Sequence, residues 1–366
     1  MNIVVLRETR EHELRVAQVP ETINKLVKAG ATVLVERGAG QAAGYDDASY
    51  EKAGAKLVGT PVEALDSAQI VLKVQPPTDA ELGQFRPGTL LVSFQPPSLK
   101  EKLAAKKVNA MAMERVPRTT RGQAVDALSS QATVAGYKAV LMGASRMPRL
   151  LPMMTTAAGT LTPGKALILG AGVAGLQAIA TAHRLGAAVS AFDVRAAVKE
   201  QIQSLGAKFI EIAGVLNAEG TGGYAKEVGQ DEQARILSTL NKHVPQADLV
   251  ITTAQIPNKP APRLITKEMV LAMKYGSVIV DLAAETGGNC ELTKVGEEVI
   301  TSNGAIVIGA RNLAATMPFH ASAMYARNVL TLMLLCINKE GGLVLNLQDD
   351  IVAAMLTTLD GTIRHP

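Results

Sequence analysis

At 366 residues, the chain is long enough for two domains. Hydrophobic residues make up 48% of it and charged residues 19%, which is typical of ordered proteins with large cores and excludes a disordered chain. The net charge of +4 comes from 37 basic and 33 acidic residues spread along the sequence, without the basic cluster that nucleic-acid binding needs, so we expect no nucleic-acid partner.

Cysteine content and hydropathy indicate in which cellular compartment the chain is expected. Two cysteines, Cys290 and Cys336, are too few for a disulfide framework, and no Cys/His cluster has the spacing of a metal site. The sequence opens on a predicted strand without the long apolar core of a signal peptide. The longest late apolar run, 329–337, is shorter than the roughly 20 residues that cross a bilayer. We therefore expect a cytoplasmic chain that binds no metal and does not span a membrane by itself.

Short β-rich runs alternate with helix-like segments or Gly/Pro turns, which predicts parallel sheets. The first set comprises Ile3–Leu6, Thr32–Glu36, Ile70–Val74, Leu90–Phe94 and Ala110–Met113. The second set comprises Ala166–Leu169, Ala188–Asp193, Lys208–Ile212, Leu249–Thr253, Ser277–Asp281 and Ala305–Ile308. Together they predict an α/β fold with two doubly wound parallel-sheet domains, a flavodoxin-like first domain and a Rossmann second domain, separated by a ligand-binding cleft.

Two helix-like stretches are expected to join these domains. Residues 129–147 are small and apolar at helical spacing and carry the chain into the second sheet, and residues 320–337 bring it back. The segment from about 339 onward then completes the first domain. The predicted domains are therefore 1–128 with 320–366, and 129–319.

The most informative motif follows the first strand of the second set. Gly170 suits the tight turn out of the strand, Gly172 lets backbone N–H groups approach a pyrophosphate, and Gly175 suits close packing of the next helix on the sheet. The first helical residues, Val173 and Ala174, supply N–H groups at the positive end of the helix dipole. This pattern predicts a dinucleotide-binding turn.

The residues at the end of the following strand address the choice of nucleotide. Asp193, followed by Val194, lies where a carboxylate accepts hydrogen bonds from the adenosine ribose hydroxyls and repels a 2′-phosphate. Arg195 opposes this interpretation, because an arginine there can pair with a 2′-phosphate. The sequence favours NAD(H) and leaves NADP(H) open.

A glycine-rich stretch, residues 214–235, interrupts the second set of strands. Tyr224 follows a Gly-Gly pair, which suits an aromatic residue on a mobile lid. A plain flexible loop accounts for this composition equally well.

Over nearly its entire length, the chain resembles the NAD(H)-binding component of proton-translocating nicotinamide nucleotide transhydrogenase, within the group that includes alanine dehydrogenase. The segments that carry the resemblance are Leu14–Ala17, Val35–Gly40, Arg115–Gln131, Met154–Thr160, Gly170–Ala182, Gly222–Glu227, Ile251–Ala254, Asp281–Asn289 and His320–Tyr325. The most specific of them is Arg115–Gln131, which in that family is a loop that reaches over the nicotinamide.

The resemblance assigns the working residues of this loop to Arg118, Gln123 and Asp126, with Ser129 just behind them. It implies direct hydride transfer between two nicotinamide rings, for which the protein needs alignment of the rings and no general base. Gln123 would hold the nicotinamide, Arg118 would fix its carboxamide or phosphate side, and Asp126 would orient the ring or the arginine.

The same resemblance implies that Tyr224 closes over the nucleotide and that Thr253, Ala254 and Gln255 line the NAD cleft. It further implies a homodimer, NADP(H) held by a partner subunit, and a membrane-spanning proton-channel subunit. Through these partners the chain would attach to the cytoplasmic face of the inner membrane, as a polypeptide separate from them.

Two alternatives remain open. An alanine-dehydrogenase-like enzyme would use Arg15 and Lys73 to hold a substrate carboxylate, but Gln95 stands where that family has its catalytic histidine, and Glu285 stands where it has an aspartate. In a transhydrogenase-like chain, Arg15 and Lys73 instead pair with carboxylates of the first domain. A nucleotide-binding regulator without turnover would share the glycine turn and Asp193 and would not need the loop of Arg118.

Overall fold

A computed structural model describes residues 1–212, 229–256, 259–338 and 340–364. The chain divides into two compact units, Met1–Gln131 with Ala314–Pro366 (unit 1) and Ala132–Leu313 (unit 2). The predicted boundaries, 128/129 and 319/320, lie a few residues from this division. The returning C-terminal segment belongs to unit 1.

Strands of the described residues are numbered in chain order. They are β1 Asn2–Val5, β2 Thr32–Glu36, β3 Lys56–Val58, β4 Ile70–Leu72, β5 Leu90–Ser93, β6 Asn109–Ala112, β7 Met154–Thr156, β8 Gly159–Leu161, β9 Lys165–Leu169, β10 Ala188–Phe192, β11 Lys208–Phe209, β12 Leu249–Thr252, β13 Val278–Asp281, β14 Glu298–Ile300, β15 Ile306–Gly309, β16 Leu356–Leu359 and β17 Thr362–Ile363.

Helices are numbered in the same way. They are α1 Pro20–Lys28, α2 Asp47–Lys52, α3 Pro61–Leu65, α4 Asp79–Gln84, α5 Leu99–Ala105, α6 Ala127–Arg146, α7 Val173–Arg184, α8 Lys199–Ser204, α9 Gln230–His243, α10 Lys267–Leu271, α11 Pro318–Cys336 and α12 Asp350–Met355. The two predicted linking helices correspond to α6 and α11. No helix within the described ranges is long and apolar enough to cross a bilayer.

Unit 1 contains an eight-stranded sheet in the order β17-β16-β6-β5-β4-β1-β2-β3. Its strands β1 to β6 pair in parallel, whereas β16 runs antiparallel to β6. All five predicted runs coincide with strands of this sheet. The C-terminal strands were not predicted individually, because they form by pairing with β6, which is remote in sequence.

Unit 2 contains a seven-stranded sheet in the order β11-β10-β9-β12-β13-β15-β14, parallel except for β14. The interior strand β9 is covered on both faces, because Ile168 and its neighbour Leu169 belong to different hydrophobic clusters. This arrangement requires the nearly continuous apolar strands seen in the sequence. The predicted fold class, two parallel-sheet α/β domains, is confirmed.

Glycines allow α6 to pack closely within unit 2. A Cβ built on Gly136 would lie 2.1 Å from the carbonyl oxygen of Ala174, and one built on Gly143 would lie 2.3 Å from a methyl carbon of Leu249. The small residues predicted to form a connecting helix therefore also bring α6 against α7 and β12. At Gly136 the neighbouring atoms are backbone atoms, so only glycine leaves room there, whereas at Gly143 they belong to side chains.

Candidate functional site

The three glycines after β9 each meet a different steric requirement in unit 2. Gly170 has φ +97°, a left-handed conformation that favours glycine. A Cβ built on Gly175 would lie 1.9 Å from the carbonyl oxygen of Gly170, so α7 could not pack there with a side chain. A Cβ built on Gly172 would meet no atom of the protein within 4 Å. Gly172 thus leaves an open approach to the backbone.

This open approach lies at the start of α7. Gly172 is the N-cap, with extended backbone, and Val173 and Ala174 form the first helical positions. The early N–H groups of a helix have no acceptor inside the helix, and the helix dipole is positive there. The turn around Gly172 therefore has the chemistry and the space to accept a phosphate group.

Asp193 anchors this turn. Its carboxylate accepts hydrogen bonds from the backbone N–H of Ala171 at 2.7 Å and from the backbone N–H of Arg195 at 2.9 Å. The Arg195 guanidinium also donates to both carboxylate oxygens, at 2.9 and 2.8 Å. A carboxylate offers about four acceptor positions. In this arrangement, Asp193 uses them to hold the glycine turn and to neutralise Arg195.

The residues after β12 lie beside the glycine turn. The Thr253 hydroxyl donates to the Gly170 carbonyl oxygen at 3.1 Å, and the Ala254 N–H donates to Asn289 Oδ1 at 3.0 Å. Gln255 is exposed, and its amide lies 3.4 Å from the Leu282 carbonyl oxygen. The partly buried side chains of Val194 and Ala254 pack against the same hydrophobic cluster. The structure thus brings together the predicted residues at the ends of β9, β10 and β12.

Two residues that support this edge of the sheet were not assigned roles from the sequence. Asn289 donates through its amide to the carbonyl oxygens of Ala254 and Pro262, at 2.9 and 2.7 Å. Asp281, at the end of β13, is fully buried and accepts five hydrogen bonds. Their donors are the side chains of Thr252 and Thr293 and the N–H groups of Ala283, Asn289 and Cys290. Both residues belong to the segment Asp281–Asn289, which the family resemblance singled out. Their roles could not be predicted, because several of their partners are distant in sequence.

The segment Arg115–Gln131 lies in unit 1 and contains a short 3-10 helix, Gly122–Val125. Arg118 and Gln123 are exposed, and Asp126 and Ser129 are half-buried. Asp126 accepts from the Ser129 N–H at 2.9 Å and from its hydroxyl at 2.5 Å, which stabilises the first turn of α6. The structure therefore joins Asp126 to Ser129 and leaves Arg118 and Gln123 on the surface of unit 1.

This segment is anchored at several points. The Arg121 guanidinium donates to Asp349 and Asp350, at 2.6 and 2.5 Å. A Cβ built on Gly122 would lie 2.1 Å from the Pro117 carbonyl oxygen, so the tight bend before the 3-10 helix requires glycine. Tyr224, the predicted lid residue, lies outside the described residues.

Unit 1 also contains a buried cluster of charges. Arg15 forms a two-point ion pair with Glu13 and donates to Gln131 Oε1 at 2.7 Å. Lys73 Nζ lies 2.9 Å from Glu81 Oε1 and 3.6 Å from Glu8 Oε2. Both cations are thus paired with carboxylates of their own unit, as expected for a transhydrogenase-like chain. In an alanine dehydrogenase they would hold a substrate carboxylate.

The residues at the other alanine-dehydrogenase positions are also engaged. Buried Gln95 donates to the Met111 carbonyl oxygen at 2.9 Å and accepts from the Thr357 hydroxyl at 2.9 Å. Glu285 accepts from the Asn312 N–H at 3.1 Å. No imidazole stands at residue 95 for proton transfer. Among the described residues, no group of three or more His, Cys, Asp or Glu side chains is placed to hold a metal ion.

Burial raises the pKa of Glu8 from 4.5 to about 7, and the nearby Lys73 ammonium opposes this only in part. Since the folded state then binds the proton more tightly than the unfolded state, Glu8 makes stability fall as the pH rises from about 4.5 through 7. Linkage limits this loss to about 3 kcal/mol. We expect Glu8→Gln to remove that part of the fall, measured as free energy of urea-induced unfolding from pH 5 to pH 8.

Gln is a suitable replacement because its Oε1 can still accept from the Val74 N–H, which lies 2.6 Å from Glu8 Oε1. Burial also raises the pKa of Glu114 to about 7, so a residual slope of the same sign remains in the variant. The exposed Glu51→Gln is the control and should keep the full slope. An unchanged slope in Glu8→Gln would show that Glu8 does not titrate in this range.

Comparison with known proteins agrees with this architecture. The family models "Alanine dehydrogenase/PNT, N-terminal domain" and "Alanine dehydrogenase/PNT, C-terminal domain" match residues 4–135 and 139–366. The chain is 46% identical to NAD(P) transhydrogenase subunit alpha of Haemophilus influenzae over 99% of its own length and 71% of that protein. It is 44% identical to an NAD(P) transhydrogenase subunit alpha protein of Rhodospirillum rubrum, over 100% and 98% of the two chains.

Solved structures give the same result. A transhydrogenase from Sinorhizobium meliloti superposes with a TM-score of 0.90 at 41% identity, covering 99% of this chain and all of the other. An L-alanine dehydrogenase superposes with a TM-score of 0.82 at 27% identity, covering 100% and 97%. The chain therefore belongs to the alanine dehydrogenase/PNT family and is similar, within it, to the alpha subunits of NAD(P) transhydrogenase.

Proposed function

We propose that this chain is the NAD(H)-binding component of a proton-translocating NAD(P) transhydrogenase. In this function, NADP(H) is held by a partner subunit, and a membrane-spanning subunit couples the reaction to proton movement. The observation that carries the proposal is the presence, in one chain, of the open glycine turn at Gly172 and of the Arg115–Gln131 segment. The similarity to transhydrogenase alpha subunits supports the same assignment.

The glycine turn fits the pyrophosphate of NAD(H). Gly172 leaves space for it, and the N–H groups at Val173 and Ala174 supply hydrogen bonds and a positive dipole. Asp193 faces the same turn through its bond to the Ala171 N–H. We assign Asp193 to the ribose hydroxyls, with Arg195 giving up part of its hold on the carboxylate when they bind. Thr253, Ala254 and Gln255 complete the nucleotide site from the end of β12.

The reaction needs positioning more than acid–base chemistry. Bound NADH supplies a hydride from C4 of its dihydronicotinamide, which passes to C4 of the NADP⁺ nicotinamide on the partner subunit. Gln123 can donate and accept hydrogen bonds at once and holds the carboxamide. Arg118 fixes the polar side of the nucleotide, and Asp126, itself fixed by Ser129, orients the ring or the arginine. Tyr224 covers the nucleotide.

The test mixes the chain with NADH, the NADP(H)-binding component of a known transhydrogenase and the acetylpyridine analogue of NAD⁺. Reduction of the analogue is followed with and without NADP(H). Turnover that requires both the partner component and NADP(H) is the expected result. Turnover that does not depend on the partner would contradict the proposal.

The second candidate is an alanine-dehydrogenase-like enzyme, and the structural similarity to L-alanine dehydrogenase is the observation that favours it. A second assay with NADH, pyruvate and ammonia distinguishes it, because this enzyme would oxidise NADH with pyruvate and ammonia and would need no partner. The carboxylate pairing of Arg15 and Lys73, and Gln95 in place of an imidazole, disfavour it. Oxidation of NADH by pyruvate and ammonia would nevertheless establish it.

A homodimer is part of the proposal, and an apolar hairpin in unit 2 supports it. Strands β7 and β8 form a two-stranded sheet of their own, and all six of their residues are exposed. Four large apolar side chains in and next to this hairpin are exposed: Leu150, Met153, Met154 and Leu161. Such a cluster is typical of a protein interface. A second copy of this chain is the partner we assign to it.

Leu161→Glu tests this assignment, because it places a charge where the apolar contact would form. Leu161 is 54% exposed in the single chain, so the substitution should not disturb folding. We expect the dimer dissociation constant to rise at least about tenfold, equal to about 1.4 kcal/mol, in sedimentation equilibrium. Val62→Glu, on α3 of unit 1 and similarly exposed, is the control and should leave association unchanged. Equal association of the Leu161 variant and the unsubstituted chain would rule out the hairpin as the interface.

We place the assembled enzyme at the cytoplasmic face of the inner membrane, with this chain attached through its partners. This placement follows from the proposed function, because the membrane subunit carries the proton pathway. A flotation assay with and without the membrane-spanning subunit tests it. Co-migration with vesicles only when that subunit is present is expected, and binding to bare vesicles would contradict it.

A further inference from the structure

A buried amide on α11 contacts the segment that carries Gln123 and Asp126. Asn328 is 8% exposed, and its Nδ2 donates a hydrogen bond to the carbonyl oxygen of Ala124 at 2.9 Å. Ala124 lies inside the 3-10 helix Gly122–Val125, next to Gln123 and two residues before Asp126. A side chain on a long helix thus holds the backbone of the candidate loop directly.

The other end of this amide is unpaired. Asn328 Oδ1 is buried and has no hydrogen-bond partner among the residues that the structure describes. A buried acceptor without a partner destabilises the fold, and an apolar side chain of the same size would avoid that cost. Packing alone therefore does not account for an asparagine at position 328. The contribution of its amide is the hydrogen bond to the Ala124 carbonyl oxygen.

The other contacts that hold the Arg115–Gln131 segment do not fix the Ala124 carbonyl group. Arg121 is tied to Asp349 and Asp350 at the outer end of the segment, and Val125 is fully buried. Between them, Ala124 is exposed, and its carbonyl direction is set by Asn328. Rotation of this peptide would change the orientation of Gln123 relative to Asp126, since the rotated peptide group lies between these two residues in the chain.

We propose that Asn328 is a positioning residue for hydride transfer, which acts by fixing the Ala124 carbonyl and through it the orientation of Gln123. This inference rests on the proposed transhydrogenase function. It assigns Asn328 no contact with either nucleotide. Loss of the bond should therefore slow the transfer step and leave NADH binding, which depends on the glycine turn of unit 2, almost unchanged.

Asn328→Asp distinguishes a positioning role from a purely structural one, because only the positioning role predicts a rate that depends on the protonation of the new side chain. A protonated aspartic acid can donate to the Ala124 carbonyl oxygen, whereas the ionised form cannot and places a negative charge against that oxygen. The single-turnover rate of hydride transfer, with saturating NADH and partner component, should be close to that of the unsubstituted chain at pH 6 and at least tenfold lower at pH 8. Asn328→Leu should be slow at both pH values.

The comparison is made as the ratio of variant to unsubstituted rate at each pH, which cancels the titration of Glu8 and Glu114 common to both. The dissociation constant of NADH, from its fluorescence, should change less than twofold. Thr331→Val, which removes a hydroxyl bond to the Arg327 carbonyl oxygen on the same helix, is the control and should transfer hydride normally. If Asn328→Asp does not fold, Asn328→Leu and the Thr331→Val control still test the inference. Slow transfer with normal NADH binding in Asn328→Leu supports it, and unchanged transfer contradicts it.

Three results would overturn the inference. Unchanged transfer in both Asn328 variants would show that the bond is dispensable, and a rate loss in Asn328→Asp that is equal at every pH would indicate a general structural defect. An unsubstituted chain that transfers no hydride with the partner would instead refute the proposed function, and the positioning role with it.

Discussion

Alanine at Gly175 is expected to destabilise unit 2, whereas alanine at Gly172 is expected to weaken NADH binding without loss of stability. The two positions are three residues apart in one motif, but their surroundings differ. At Gly175, the new Cβ would meet the Gly170 carbonyl oxygen at 1.9 Å and the carbonyl carbon at 2.8 Å. These are backbone atoms, so relief requires α7 to move away from β9.

Overpacking of this kind costs about 1–3 kcal/mol. A loss of this size in Gly175→Ala is expected in urea-induced unfolding. At Gly172, the new methyl group has no protein atom within 4 Å and enters the space assigned to the pyrophosphate. The NADH dissociation constant should rise at least about tenfold, which corresponds to about 1.4 kcal/mol, while the unfolding free energy stays near that of the unsubstituted chain.

Gly83→Ala on α4 is the matched control for Gly172, because its Cβ would also meet nothing within 4 Å and it lies in unit 1. It should bind NADH normally. Normal NADH binding by Gly172→Ala would mean that no ligand approaches this part of the backbone, and the nucleotide site would have to be sought elsewhere. A fully stable Gly175→Ala would show that the close contact of α7 with the turn relaxes without cost.

The different roles of these glycines could be predicted from the sequence because they follow from local backbone geometry. A strand, a turn and a helix within a few residues allow only a small set of contacts, so the spacing in Gly170–Gly175 already specifies which position must be free of a side chain. Strand ends were less well predicted. The predicted run Lys208–Ile212 becomes the two-residue strand β11, since its length depends on pairing with β10 at the sheet edge.

The supporting residues could not be assigned from the sequence, because their partners are brought near by strand order. Asp281 serves Thr252 only because β13 lies beside β12, and Asn289 reaches Ala254 across the same edge. The pairing of Lys73 with Glu81 was anticipated only as a class of contact. The unpaired Oδ1 of Asn328 has no counterpart in any sequence pattern, because burial of a single atom is a property of the folded state.

Asp193→Ala is expected to change the preference between NADH and NADPH. In the structure, the Asp193 carboxylate is paired with the Arg195 guanidinium, and both side chains are largely buried. The arginine that would attract a 2′-phosphate is therefore neutralised by the residue that would repel it. Removal of the carboxylate takes away the acceptor that we propose for the ribose hydroxyls and leaves the guanidinium available to a phosphate group. The ratio of NADPH to NADH dissociation constants should fall by about 100-fold, or about 2.7 kcal/mol.

Arg195→Ala separates the two contributions, because it keeps the carboxylate and removes the competing donor. This variant should bind NADH at least as well as the unsubstituted chain and should gain no affinity for NADPH. Fluorescence titration with both nucleotides measures the preference, and urea-induced unfolding accounts for the lost bond to the Ala171 N–H. If Asp193→Ala keeps the original preference, the carboxylate serves the glycine turn alone. The discrimination would then lie with other residues, because the geometry of Asp193 would explain the shape of the turn and not its choice of ligand.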